Sequence, residues 1–78
     1  MARILIVEDE IVVGESIRAF LEISAHLILD IVATGSEAIQ IAARTVPDLV
    51  LMDIHLRGEM DGIMAADRIY QQLGIPVI

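Results

Sequence analysis

Residues 3–10 read RILIVEDE, an apolar run rich in branched side chains that ends in three consecutive acids. The run has no polar alternation, which is typical of a strand buried on both faces of a parallel sheet. The same pattern returns at residues 26–33 (HLILDIVA) and at residues 48–52 (DLVLM), which Asp53 follows directly. These runs predict three buried strands, two of which deliver carboxylates at their carboxyl ends.

Amphipathic segments separate the strands. The first predicts a helix of about four turns, because apolar residues recur at helical spacing. Its predicted inner face is Val13, Ile17, Phe20, Leu21 and Ser24. A second helix begins at the capping box Thr34–Glu37, presents small alanines to its packing side and runs to about Arg44, since Val46 precedes a proline.

A third helix is predicted from Asp61, a capping residue, to Gly74, which suits a carboxyl-terminal cap. Its predicted inner face is Ile63, Ala66, Ile69, Tyr70 and Leu73. Residues 75–78 (IPVI) start a fourth strand. Strict alternation of strand and helix predicts one α/β domain over residues 1–78, with right-handed crossovers and a parallel sheet covered by helices.

Composition narrows the function classes. The chain has 78 residues, a net charge of −7 and no cysteine, so disulfides and thiolate metal sites are excluded. No apolar run approaches the roughly 18 residues of a spanning helix, and the amino terminus does not resemble a signal peptide. An acidic domain repels phosphates, so we expect no direct nucleic acid binding by this segment. These features suggest a cytoplasmic location.

The acids at the strand ends are the candidate functional residues. Glu8 and Asp9 follow the first strand, and Asp53 follows the third. In an open parallel sheet, ligands bind beyond the carboxyl ends of the strands. Clustered carboxylates repel one another unless a cation neutralises them, and hard oxygen ligands favour Mg²⁺ over zinc. The alternative is that these acids only cap helices or lie in solvated loops.

Several motifs together resemble the receiver domains of two-component response regulators. ILIVEDE at residues 4–10 is similar to their first strand with its acidic pair. PDLVLMDIHL at residues 47–56 is similar to the third strand that carries their phosphoacceptor. TGSEAI (34–39), MDG (60–62) and IPVI (75–78) are similar to the starts of their second helix, third helix and fourth strand. The resemblance covers the whole chain with its motifs in register.

The resemblance implies a flavodoxin-like three-layer α/β/α fold with strand order 2-1-3-4-5 in the complete domain, of which this chain ends in strand 4. It implies that Asp53 accepts a phosphoryl group from the phosphohistidine of a histidine kinase or phosphotransfer domain. It also implies a Mg²⁺ ion held by Glu8, Asp9, Asp53 and the main-chain carbonyl of His55. The imidazoles of His55 and His26 would then have no catalytic role. The domain would regulate an attached or partner output domain and would not itself be a turnover enzyme.

Two departures from the family pattern stand out. The loop at residues 56–60 (LRGEM) lacks the usual proline and is one residue longer than the commonest form. The chain also stops before the family's serine or threonine on strand 4 and its lysine on strand 5, and all five of its basic residues are arginines. Two rivals stay open: a Mg²⁺-dependent phosphate hydrolase, disfavoured because the first strand ends in VEDE rather than DxD, and a degenerate receiver used only for docking.

The absence of the family's fifth strand and last two helices from this sequence leads to a further expectation. Without a fifth strand the fourth strand is an open edge. Without the last helices, apolar side chains of the first, third and fourth strands would face water. We therefore expect the carboxyl end of the receiver to be incomplete and the 78-residue chain to associate with itself, for example as a homodimer through the open edge.

Overall fold

A computed structural model of the chain describes residues 1–56, 58 and 60–78. The secondary structure alternates as the sequence predicts, and the elements are β1 (Arg3–Val7), α1 (Ile11–Ile23), β2 (Leu27–Val32), α2 (Gly35–Thr45), β3 (Leu49–Met52) and α3 (Gly62–Leu73). The unusual loop after His55 includes Arg57 and Glu59, which lie outside the described residues. None of the helices in the described ranges has the length and hydropathy needed to cross a membrane.

The strands form a parallel sheet in the order β2-β1-β3, as expected for the flavodoxin-like fold. The start of a fourth strand lies beside β3, where Val77 forms a bridge with Val50. The Ile78 N–H donates to the Val50 carbonyl at 2.9 Å, and the Met52 N–H donates to the Ile78 carbonyl at 2.9 Å. The predicted start of a fourth strand at residues 75–78 therefore pairs with β3, through an isolated bridge beside the regular sheet of three strands.

The side chains of β1 alternate between two separate apolar clusters. Leu5 and Val7 point to the face covered by α2 and α3, where they pack with Ala42, Val50 and Ile69. Ile4 and Ile6 point to the opposite face, where Ile17 and Leu21 of α1 pack against them. The residues Ile4 to Val7 are all at most 2% exposed. Burial on both faces explains why β1 reads as a continuous apolar run.

Both ends of α2 are fixed by specific hydrogen bonds. The Thr34 hydroxyl oxygen accepts from the Glu37 N–H at 3.2 Å, as the capping box predicts. At the other end Val46 has a positive φ of 47°. The Arg3 guanidinium donates to the Val46 carbonyl and to the Thr45 carbonyl, both at 2.9 Å. A residue of β1 therefore caps the carboxyl end of α2.

The predicted inner face of α3 is wrong in part. Ile69 is fully buried as predicted, but Ile63 and Tyr70 are exposed by 64% and 60%. Ala65, which the pattern did not select, is fully buried. The reason is that α3 packs closely against α2, so a small residue fits at the contact while larger ones point outward. Gly74 ends the helix with a positive φ of 70°, as predicted.

The α1 face of the sheet is the less covered one. An open groove of about 790 Å³ lies between α1 and the sheet, and Phe20, Val13 and Ile78 line it. Phe20 is 69% exposed, so its predicted place on the inner face does not bury it. The expectation that apolar side chains of the first strand would face water is wrong, because Ile6 is buried against α1 and the neighbouring strands. For the fourth strand the expectation is confirmed at Ile78, which is 76% exposed, and further exposure falls on α1.

Candidate functional site

Strand register brings the predicted acids together. Val7 of β1 pairs with Met52 of β3, so the next residues, Glu8 and Asp53, leave the sheet side by side. Both backbones are anchored at this edge: the Asp53 N–H donates to the Val7 carbonyl at 3.0 Å, and the Glu8 N–H donates to the Val32 carbonyl at 2.9 Å. The sheet thus fixes the backbone positions from which the side chains of Glu8 and Asp53 extend.

The carboxylates of Glu8, Asp9 and Asp53 form one cluster. Each offers an oxygen, and these oxygens all lie within 4.8 Å of one another on half-buried residues. One oxygen of Asp53 accepts from the His55 N–H at 3.0 Å, which orients the carboxylate. The three carboxylates therefore lie next to one another at the carboxyl edge of the sheet.

The electrostatics of the cluster are unfavourable without a cation. Burial raises the pKa of Glu8 above its ordinary value of 4.5. The Glu10 N–H, which donates to Glu8 at 3.2 Å, opposes this rise, while a hydrogen bond and charge repulsion from Asp53 and repulsion from Asp9 add to it. A divalent cation would relieve this repulsion.

The donor set fits Mg²⁺. Carboxylate oxygens are the ligands that Mg²⁺ takes from proteins, and it keeps several waters besides them. The cluster contains no thiolate or imidazole, the ligands that zinc favours. The three acids therefore fit the ligand preference of a hard divalent ion.

The histidines lie where the sequence suggests. His55 is exposed and directly follows Ile54 in the loop after β3. The ring of His26 is outside the cluster, at the start of β2, where its Nδ1 accepts a hydrogen bond from the Ala2 N–H at 3.0 Å. That bond ties the amino terminus to β2 and gives His26 a structural role.

Two residues near the site were not selected from the sequence. Leu56 is buried in the cluster beneath α2 and α3, although the segment around it reads as a polar turn. Gly62 lies directly against the backbone of Asp53 and Ile54. The burial of Leu56 could have been predicted, because it is an apolar residue within a polar loop. The MDG motif includes Gly62, but its close approach to the Asp53 backbone depends on tertiary packing.

Curated relatives of the chain carry names that describe different activities, and each is longer than the chain. It is 35% identical to the transcriptional regulatory protein LiaR of Bacillus subtilis, over all of this chain and 37% of the relative. It is 33% identical to a protein-glutamate methylesterase/protein-glutamine glutaminase of Hahella chejuensis, over 96% of this chain and 21% of the relative. The chain thus spans well under half the length of these curated relatives.

Solved structures agree with the fold. The signal receiver domain of a modulated diguanylate cyclase from Desulfovibrio desulfuricans superposes with a TM-score of 0.94 at 32% identity, over 99% of this chain and 61% of that one. The response regulator PhyR from Brucella abortus superposes with a TM-score of 0.92 at 34% identity, over 99% of this chain and 32% of that one. Residues 4–78 match the response regulator receiver domain family. The chain therefore belongs to the receiver domain family of two-component response regulators.

Proposed function

We propose that the chain is a phosphoacceptor module in which the Asp53 carboxylate receives a phosphoryl group from a phosphohistidine. The observation that carries the proposal is the convergence of Glu8, Asp9 and Asp53 within 4.8 Å at the carboxyl edge of the sheet. A phosphoryl group in that place would meet a nucleophile and a metal-binding cluster together, the two components that phosphoryl transfer requires.

The proposed roles of the individual residues are those that membership of the receiver family implies. Glu8, Asp9, Asp53 and the His55 main-chain carbonyl would hold Mg²⁺, which when bound supplies positive charge to the phosphoryl oxygens. The hydrogen bond from the His55 N–H orients the Asp53 carboxylate, whose oxygen is the proposed nucleophile. A carboxylate oxygen of Asp53 attacks phosphorus, the phosphorus–nitrogen bond of the phosphohistidine breaks, and the electron pair leaves with the imidazole. The product on this chain is an aspartyl phosphate.

The partners belong to the same proposal. The donor is a histidine kinase or a phosphotransfer domain, and the acceptor controls an attached or partner output in the cytoplasm. Among the relatives, the receiver is joined to regulatory and methylesterase functions, and PhyR from Bartonella quintana is known in complex with the anti-sigma factor NepR. This range supports a control domain whose output lies outside these 78 residues.

The test uses the full-length protein. Incubation with a radiolabelled phosphohistidine donor and Mg²⁺ should place label on Asp53, and Asp53→Asn should abolish it because the amide is not a nucleophile. Asp48→Asn is the matched control, since Asp48 is exposed at the opposite end of β3. Undiminished labelling of Asp53→Asn would refute the assignment. For the 78-residue chain alone we expect little stable phosphorylation, because it contains no lysine to neutralise the phosphoryl group.

A further inference from the structure

The first residue of α3 lies unusually close to the backbone that carries Asp53. A Cβ atom added to Gly62 would overlap the Asp53 carbonyl oxygen and would come within 2.6 Å of the Ile54 Cα and 2.9 Å of the Asp53 carbonyl carbon. The Gly62 N–H also donates to the Ile54 carbonyl at 3.3 Å. All three close atoms belong to the main chain, so no side chain can rotate away.

The glycine is required for space and not for its backbone angles. Among the described glycines, only Gly58 and Gly74 have a positive φ. Alanine is the better helix former, so helix propensity alone would favour Ala at the first position of α3. The contact with Asp53 is what excludes it.

The helix cannot retreat from this contact at low cost. Asp61 caps α3 by accepting from the Met64 N–H at 2.9 Å. Ala65 and Ile69 are fully buried. On the side of α2, a methyl group on Gly35 would already meet the Ala65 Cβ at 3.0 Å. The start of α3 is therefore held between α2 and the backbone of Asp53.

We infer that Gly62 is a positioning residue of the phosphoacceptor site: its bare Cα sets where the Asp53–Ile54 backbone lies and so places the Asp53 carboxylate and the His55 carbonyl. The inference rests on the proposed function for its consequence, which is metal binding. A methyl group at Gly62 pushes the strand end away from Glu8 and Asp9 and opens the cluster.

The test compares Gly62→Ala with Gly74→Ala. Gly74 ends the same helix, and nothing lies within 4 Å of a Cβ placed there, but its positive φ makes alanine strained. The control therefore destabilises α3 without touching Asp53. Without metal, the amide signals of Ile54 and His55 should shift in Gly62→Ala and stay in place in Gly74→Ala. In a Mg²⁺ titration, Gly62→Ala should lose about tenfold or more in affinity, as is usual when support behind the ligands is lost, and Gly74→Ala should keep the wild-type affinity.

Each result decides a separate point. Unshifted Ile54 and His55 signals, or unchanged Mg²⁺ affinity in folded Gly62→Ala, overturn the positioning role. Absence of Mg²⁺ binding in the wild type refutes the proposed function, while the metal-free shifts still decide the role of Gly62. If Gly62→Ala does not fold, amide exchange in the wild type gives the answer: saturating Mg²⁺ should slow exchange at Gly62 together with His55, and slowing at His55 alone overturns the inference.

Discussion

Side-chain oxygens of Glu8 and Asp53, two acids from strands that are distant in sequence, lie within 4.8 Å of each other. This proximity follows from the register of β1 and β3, in which Val7 and Met52 are paired. Two acids in this arrangement repel each other when both are ionised, and Asp9 adds a third charge within reach. The fold therefore places mutually repelling negative charges at the edge where a cation would bind.

The first prediction concerns pH. The raised pKa of Glu8 means that the folded chain binds more protons than the unfolded chain between the two pKa values. The free energy of unfolding should therefore include a contribution that is complete below pH 4.5 and declines as pH rises through the folded pKa. Glu8→Gln should remove this decline. Urea unfolding of the wild type and of Glu8→Gln across this pH range measures the decline. The same pH dependence of the free energy of unfolding in both proteins would contradict the prediction.

The second prediction concerns Mg²⁺ itself. Titration should move the amide signals of residues 8–10 and 53–56, because the ion binds at the carboxyl edge of β1 and β3. Asp53→Asn should bind Mg²⁺ more weakly, since one of the clustered negative charges is gone. Changes confined to residues far from these segments would show that the ion binds elsewhere. Asp30→Asn on the edge strand β2 serves as the control, because it removes an exposed charge outside the cluster.

A third prediction tests the cap that β1 provides for α2. Arg3→Met keeps most of the apolar stem but removes the donors to the carbonyls of Thr45 and Val46. We expect a loss of about 1–2 kcal/mol in the free energy of unfolding, since charged donors form the stronger hydrogen bonds. Arg44→Met, at an exposed position of α2, should change stability by less than about 0.5 kcal/mol. Equal effects in chemical denaturation would mean that the cap contributes nothing.

The fourth prediction tests the corrected inner face of α3. Ile69→Ala should cost about 2–5 kcal/mol, because it leaves a cavity at a fully buried position. Ile63→Ala should cost far less, since Ile63 is 64% exposed. The same substitution on one helix thus gives a matched pair. Similar unfolding free energies for the two variants would instead support the inner face of α3 that the apolar pattern predicted.

The fifth prediction concerns association of the 78-residue chain. The groove beside α1 exposes Phe20 and Ile78, so we expect concentration-dependent association and binding of a hydrophobic dye. Phe20→Ser should weaken both, because it removes apolar surface from the groove. Tyr70→Ser removes an exposed ring from the other face of the sheet and should have little effect. Sedimentation of the wild-type chain as a compact monomer that binds no dye would contradict the expectation.

The elements of this protein could be derived from local pattern. Buried parallel strands are apolar throughout, so RILIV and LVLM are recognisable without any partner. The helix ends at Thr34, Asp61 and Gly74 could be located because capping depends on the residue itself and its near neighbours along the chain. The convergence of Glu8 with Asp53 was also predictable, since acids that end neighbouring parallel strands must meet at one edge.

Tertiary structure decided which side of each helix is buried and how closely the backbones approach. Ala65 is buried and Ile63 exposed because of the distance between α2 and α3, which hydrophobic periodicity does not contain. Gly62 was recognised from the sequence only as part of a motif, whereas its contact with the Asp53 backbone appears once α3 is packed. Sequence periodicity reports which residues prefer burial, but only the relative placement of the elements determines how much room each position has.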